Sequence, residues 1–131
     1  MLFRSDDAAN LPDTYEPGKF ALILSRGMSW YHYELAGKNR CGVDVVAQTK
    51  RLVTLLRPGG CFCLQIGTDF SGADMPSGIR GNTLEEYREL MASAVGPVVH
   101  ECDWAGKAVS SGRKPHAGII IVARREGVAV N

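Results

Sequence analysis

Short apolar runs alternate with amphipathic segments along this chain, and the two patterns predict strands and helices in turn. Continuous apolar runs, which are typical of strands buried on both faces of a sheet, occupy residues 20–25 and 61–66. An alternating run at 98–104 and an apolar run at 116–124 predict two more strands, the first of them partly exposed.

Helical periodicity is found in the segments 43–56 and 83–95. In the first, apolar side chains recur at spacings of three and four residues, and the turn-forming sequence Arg57–Gly60 is expected to end the helix. The second begins with Thr83 and Glu86 in the spacing of a capping box, in which each residue satisfies a free backbone amide of the first turn.

The predicted order is therefore strand, helix, strand, helix, strand, strand. Alternation of strands and helices indicates an α/β fold with a mostly parallel, Rossmann-like sheet and flanking helices. Because no helix separates the last two strands, we expect them to form a C-terminal antiparallel hairpin. The length of 131 residues fits one domain.

Composition excludes several classes of protein. A hydrophobic fraction of 45% with a net charge of +1 argues against disorder and against a strongly basic nucleic-acid-binding surface. No apolar run is long enough for a membrane span, and the N-terminus does not look like a signal peptide, so we expect a cytoplasmic protein. The cysteines lack a zinc-binding spacing, and we expect reduced core thiols and no metal site.

Several segments, in the same order along the chain, resemble class I S-adenosylmethionine-dependent methyltransferases. Asp7–Pro12 is similar to a segment that follows the third strand of that family, and Phe20–Ser25 resembles its fourth strand. Leu55–Gly60 resembles the turn before the fifth strand, and the final hairpin resembles the sixth and seventh strands. The resemblance covers Asp6–Arg124 and implies a remnant of the third strand at residues 1–7.

The chain also departs from that family. The family begins with a strand and a Gly-x-Gly loop that approaches the cofactor, and no Gly-x-Gly occurs in this sequence. Position 21 is Ala where the family usually has Asp. The resemblance therefore implies a truncated domain, equivalent to the C-terminal half, which binds S-adenosylmethionine weakly as an isolated monomer.

Most candidate site residues lie at or after the end of the predicted first strand, where ligands bind in open α/β sheets. The resemblance implies that cofactor contacts come from Asp7, Ala8, Ser25, Arg26 and Gly27, and that Asp7 accepts a hydrogen bond from the adenine amino group. His32 is the candidate general base, because its usual pKa lies near neutrality. The candidate substrate contacts are Trp30, Tyr31, Tyr33 and Asp69.

Each of these roles has a structural alternative. Asp7 and Asp69 could cap turns, His32 could lie in solvent, and Trp30 and Tyr31 could pack beneath the loop. Two functions of different kinds follow: a methyltransferase of a small-molecule acceptor, or a non-catalytic α/β module that works through association. Since the fourth strand of the family pairs with the first, we expect a second copy or another polypeptide to cover this apolar edge.

Overall fold

The computed structural model describes residues 10–26, 30–33, 44–67, 82–109 and 118–127. The elements are α1 (Leu11–Thr14), β1 (Phe20–Arg26), α2 (Trp30–Tyr33), α3 (Val45–Val53), β2 (Leu56–Ile66), α4 (Leu84–Ala94), β3 (Val98–Asp103) and β4 (Ile119–Arg124). The third-strand remnant predicted at residues 1–7 lies outside the described residues. Within them, no helix is both long and apolar enough to cross a bilayer.

The strands form one four-stranded sheet in the order β1-β2-β4-β3. β1 and β2 are parallel, whereas β4 is antiparallel both to β2 and to β3. The α/β class and the C-terminal antiparallel hairpin are thereby confirmed. Because α3 connects the parallel pair, this part of the chain is a βαβ crossover, and the hairpin extends the sheet beyond it.

The connection from α3 to β2 differs from the prediction. The helix ends at Val53 rather than Leu56, and Leu56 already pairs with Phe20. The next pair along the ladder is Leu22 with Cys61, so the segment 57–60, predicted as a turn between helix and strand, bulges out of β2. Burial explains the difference, because Leu56 is fully buried at the start of the strand.

The helices α3 and α4 both begin with a side-chain cap. Asp44 accepts a hydrogen bond from the amide of Ala47, and Thr83 accepts one from the amide of Glu86, as the capping pattern predicts. Both helices pack on the same face of the sheet. Alternate side chains of β2 and β4 on that face are fully or almost fully buried: Phe62, Leu64, Ile66, Ile119, Ile121 and Ala123.

β1 does not have the two-sided burial that its apolar run predicts. Leu22 and Leu24 are 58% and 60% exposed, and Phe20 is 38% exposed. Leu22 and Leu24 pair with Cys61 and Cys63, so their side chains lie on the sheet face opposite the helices. Among the described strands β1 pairs only with β2, so it is an apolar edge strand of the described sheet.

Gly118 offers a test of this architecture. It has a φ of +89°, and an added Cβ would lie 2.4 Å from the Ile66 carbonyl oxygen and 2.8 Å from the Trp104 ring. Gly18 has a similar φ of +72° but open space around it. We expect Gly18→Ala to lower the free energy of unfolding by about 1 kcal/mol and Gly118→Ala by about 3 kcal/mol. Urea denaturation measures both, and equal losses would contradict the close approach at Gly118.

Candidate functional site

The described elements converge at one edge of the sheet. The parallel strands β1 and β2 end there at Arg26 and Ile66, β3 ends there, and β4 begins there opposite Ile66. The short helix α2 follows β1 at this same edge. Ligands of open α/β sheets bind at the carboxyl ends of parallel strands, so this end of the sheet is the candidate site. We call it the carboxyl edge, to distinguish it from the edge strands β1 and β3.

Tyr31 anchors α2 to α3. Its side chain is fully buried, and its hydroxyl lies 2.9 Å from the Thr49 hydroxyl. Thr49 in turn donates to the Val45 carbonyl oxygen at 2.7 Å, so we assign the Tyr31 hydroxyl as the donor to Thr49. Burial raises the pKa of Tyr31 to about 12. The phenol therefore stays protonated and works as a structural hydrogen-bond donor.

Asn82 and Tyr87 hold the backbone of the same turn from the side of α4. The Tyr87 hydroxyl donates to the Tyr31 carbonyl oxygen at 2.8 Å. The Asn82 side-chain amide donates to that oxygen at 3.0 Å and to the Tyr87 hydroxyl at 2.8 Å. Burial raises the pKa of Tyr87 to about 12. We call Tyr31, Thr49, Asn82 and Tyr87 the polar anchor, because together they fix α2 against both helices.

The predicted site residues that the structure describes fall into two groups. Ser25 is buried and Arg26 is exposed at the end of β1, so Arg26 is open to a ligand. Trp30 is 9% exposed and Tyr31 is not exposed at all. The expectation that these two rings form a substrate wall is therefore corrected, since both pack inward and the anchor occupies the Tyr31 hydroxyl.

The remaining predicted site residues are ones whose side chains the structure does not describe. The structure places the backbone of His32 and Tyr33 in α2 without describing their side chains. Four predicted site residues lie outside the described residues: Asp7, Ala8, Gly27 and Asp69. The proposed roles of these six residues stay predictions.

Trp104 lies at the candidate edge, and the sequence patterns did not single it out. It follows β3 at the candidate edge, is 46% exposed, and donates from Nε1 to the Ile119 carbonyl oxygen at 3.3 Å. Its ring lies on Gly67 and Gly118, and a Cβ at Gly67 would come within 2.9 Å of it. The pattern of β3 showed only a strand end. The signal would have been the glycines that follow β2 and precede β4.

Two adjoining cavities lie beside β1. A cavity of about 290 Å³ is lined by apolar residues of α1, β1 and α3, among them Leu11, Ile23 and Leu52. An adjoining cavity of about 190 Å³ shares these three residues and reaches Ser25 and Arg26. Among the described residues, none forms a hydrogen bond with the buried Ser25 hydroxyl.

No group of three or more His, Cys, Asp or Glu side chains in the described ranges is arranged to hold a metal ion. Cys61, Cys63 and Cys102 are free thiols, and burial raises the pKa of Cys63 above its usual value.

Comparison with solved structures establishes the fold. The 4+2 cyclase SpnF matches with a TM-score of 0.60 and 16% identity, over 96% of this chain and 56% of its own. A Burkholderia thailandensis 1,6-didemethyltoxoflavin-N1-methyltransferase, solved with bound 1,6-didemethyltoxoflavin and S-adenosylhomocysteine, matches with a TM-score of 0.59 and 19% identity, over 91% of this chain and 48% of its own. A Methanosarcina mazei S-adenosylmethionine-dependent methyltransferase matches with a TM-score of 0.58 and 16% identity, over 96% and 68%.

The chain has a methyltransferase fold. It spans about half to two thirds of the length of these three similar structures. No protein-family model matches the sequence. No curated protein matches it either.

The polar anchor gives a prediction about stability. Thr49→Val leaves the buried Tyr31 hydroxyl without its acceptor, and we expect the free energy of unfolding to fall by about 1–3 kcal/mol. Replacing both partners in Tyr31→Phe/Thr49→Val removes the unsatisfied group and should recover part of that loss. Chemical denaturation of the single and double variants measures the coupling, and additive losses would contradict the bond.

The same tyrosines predict a dependence of stability on pH. Both pKa values are raised from 10.0 to about 12, so the unfolded chain releases these protons at lower pH than the folded protein does. Their contribution is complete below pH 10 and is lost as the pH rises towards 12, by up to about 1.4 kcal/mol per pH unit for each tyrosine. Unfolding at a series of alkaline pH values measures the slope, which Tyr31→Phe/Tyr87→Phe should flatten. An equally steep slope in that variant would refute the assignment.

Proposed function

We propose that this chain forms the C-terminal half of an S-adenosylmethionine-dependent methyltransferase site that acts on a small-molecule acceptor. The observation that supports this most is the fold match, which extends over 91–96% of the chain at TM-scores of 0.58–0.60. One of these similar proteins holds S-adenosylhomocysteine and a small-molecule substrate together.

The fit of the described residues to such a cofactor can be tested at the carboxyl edge. Ser25 and the exposed Arg26 both line the same cavity, and the buried Ser25 hydroxyl has no hydrogen-bond partner among the described residues. Arg26 carries a permanent charge and suits a carboxylate, such as that of the amino-acid part of the cofactor. The half-exposed Trp104 ring adds an aromatic face that would attract a sulfonium or an aromatic acceptor. The side chains of Ser25, Arg26 and Trp104 are therefore chemically suited to contact the cofactor.

In the proposed reaction the cofactor supplies a methyl group already activated on a sulfonium. The chain's own task is then to orient the acceptor and exclude water. We assign Asp7, Ala8, Ser25, Arg26 and Gly27 to cofactor contacts. The polar anchor holds α2 in place, and this positions the backbone of His32, our candidate for removing a proton from the acceptor.

We expect the isolated chain to bind the cofactor weakly. The sequence contains no Gly-x-Gly, which lets a backbone approach a nucleotide closely in folds of this type. The contacts proposed above would leave much of the cofactor without a protein contact.

The second candidate function is a non-catalytic α/β module that acts through association. The observation that favours it is the exposed apolar edge of β1, where Leu22 and Leu24 are 58% and 60% exposed. A cofactor titration separates the two functions, because only the first needs a ligand at the carboxyl edge.

Calorimetric titration with S-adenosylhomocysteine is the test. We expect a dissociation constant of about 0.1–1 mM, which Asp7→Ala raises about tenfold by removing the acceptor for the adenine amine. Asp13→Ala is the matched control, since Asp13 is an exposed carboxylate in α1, paired with Arg51 at 3.4 Å, and should leave binding unchanged. No heat at millimolar ligand, with an unchanged circular dichroism spectrum, would reject the methyltransferase proposal and favour the association module.

A further inference from the structure

The turn that carries Trp104 is fixed by the residue before it. Asp103 is buried, and its carboxylate accepts hydrogen bonds from the amides of Ala105 and Lys107, each at 2.9 Å. Its own backbone closes the turn, because its amide donates to the Lys107 carbonyl oxygen at 2.8 Å and its carbonyl oxygen accepts from the Gly106 amide at 2.9 Å. These four hydrogen bonds hold the backbone of Trp104 in place at the carboxyl edge.

Contacts along the same edge fix the Trp104 ring. Its Nε1 donates to the Ile119 carbonyl oxygen at the start of β4. A Cβ added at Gly118 would lie 2.8 Å from Cε2, and a Cβ added at Gly67 would lie 2.9 Å from Cη2 and 3.1 Å from Cζ2. Since β4 lies between β3 and β2, the ring extends from the end of β3, past β4, to the end of β2.

A ring held in this way offers one kind of interaction to a ligand. The Nε1–H group is the single hydrogen-bond donor of an indole, which has no acceptor, and the Ile119 carbonyl oxygen already occupies it. The residue is nevertheless 46% exposed, so its aromatic surface remains available. Such a surface stacks well with another flat ring, and a side chain that is already fixed loses little entropy when a ligand binds.

We propose that Trp104 is the stacking surface for a planar aromatic methyl acceptor and that it favours such acceptors over saturated ones. The role of the ligand as acceptor rests on the proposed function, whereas the stacking itself does not need the cofactor. Ser25 and Arg26, assigned above to the cofactor, lie on β1, and Arg26 pairs with Gln65 of β2. The ring reaches Gly67, two residues further along, so a ligand stacked on it lies beside the cofactor contacts.

Two matched probes test the preference for a flat ring. 2-Naphthol and decahydro-2-naphthol share one carbon skeleton and one hydroxyl, and only the first is planar and aromatic. We expect a dissociation constant of about 1 mM for 2-naphthol, as befits a small ligand, and one at least about fivefold higher for the saturated compound. Equilibrium dialysis with the full chain measures both values.

Nuclear magnetic resonance identifies where the probe binds. The sequence contains two tryptophans, so a nitrogen-15-labelled chain has two indole N–H signals. Trp30 is buried and provides an internal reference. Ring currents from stacked 2-naphthol should shift the Trp104 signal saturably and leave the Trp30 signal in place.

Variants separate the aromatic surface from the position of the ring. Trp104→Leu keeps an apolar side chain without a π face and should raise the dissociation constant of 2-naphthol about fivefold, while Trp104→Phe should retain part of the affinity. Gly67→Ala leaves the indole intact but places its Cβ against the ring edge, which must then move. We expect this variant to weaken binding at least about twofold and to shift the Trp104 signal of the free protein.

Controls separate the result from misfolding. Val99 is 45% exposed near the other end of β3, and Val99→Ala should leave binding unchanged. Thermal unfolding should show that all variants remain folded. Equal affinity for the two probes, or an affinity for 2-naphthol that Trp104→Leu leaves unchanged, overturns the proposal.

A repeat of the titration in millimolar S-adenosylhomocysteine separates this proposal from the proposed function. Retention of the 2-naphthol-induced shift of Trp104 supports the proposal, because acceptor and cofactor must bind side by side. Displacement of 2-naphthol assigns the ring to the cofactor and overturns it. If S-adenosylhomocysteine binds and 2-naphthol does not, the stacking surface is wrong and the methyltransferase proposal stands. If only 2-naphthol binds, the methyltransferase proposal fails and Trp104 is a site for aromatic ligands alone.

Discussion

The packing of β2 against α3 and α4 is the interaction on which the rest of the structure depends. β2 lies between β1 and β4, and its alternate side chains Phe62, Leu64 and Ile66 are almost completely buried beneath the two helices. Burial of one face fixes the register of the strand, because a slip by one residue would turn these side chains to the open face. The end of β2, and with it the carboxyl edge, is thereby set in place.

The polar anchor holds α2 in a fixed position at the carboxyl edge of this packed sheet. Buried hydroxyl and amide groups are costly unless they are hydrogen-bonded. The Tyr31 hydroxyl bonds to Thr49, and the Tyr87 hydroxyl and the Asn82 side-chain nitrogen both donate to the Tyr31 carbonyl oxygen. The anchor therefore ties α2 to both helices at once. On the other side of the edge, Trp104 lies against Gly67 and Gly118, so the site is bounded by well-packed elements.

β1 leads to the candidate site and is also an edge strand of the described sheet. Its carboxyl end carries Ser25 and Arg26, while Leu22 and Leu24 are exposed on the sheet face opposite the helices. An apolar edge of this kind is a hazard unless something covers it.

The sequence by itself determined the α/β class, the order of the four strands and the two longer helices, the Thr83 cap and the final hairpin, because these follow from local periodicity and turn chemistry. The sequence also indicated that the segment after β1 holds most of the candidate site residues. Only the tertiary structure decided that Leu56 belongs to β2, that Tyr31 points inward and that Trp104 faces the site. Each of these depends on a partner far along the chain, such as Asn82, which lies 51 residues from Tyr31. Local patterns report which faces are apolar, whereas contacts between distant segments decide which groups meet at a site.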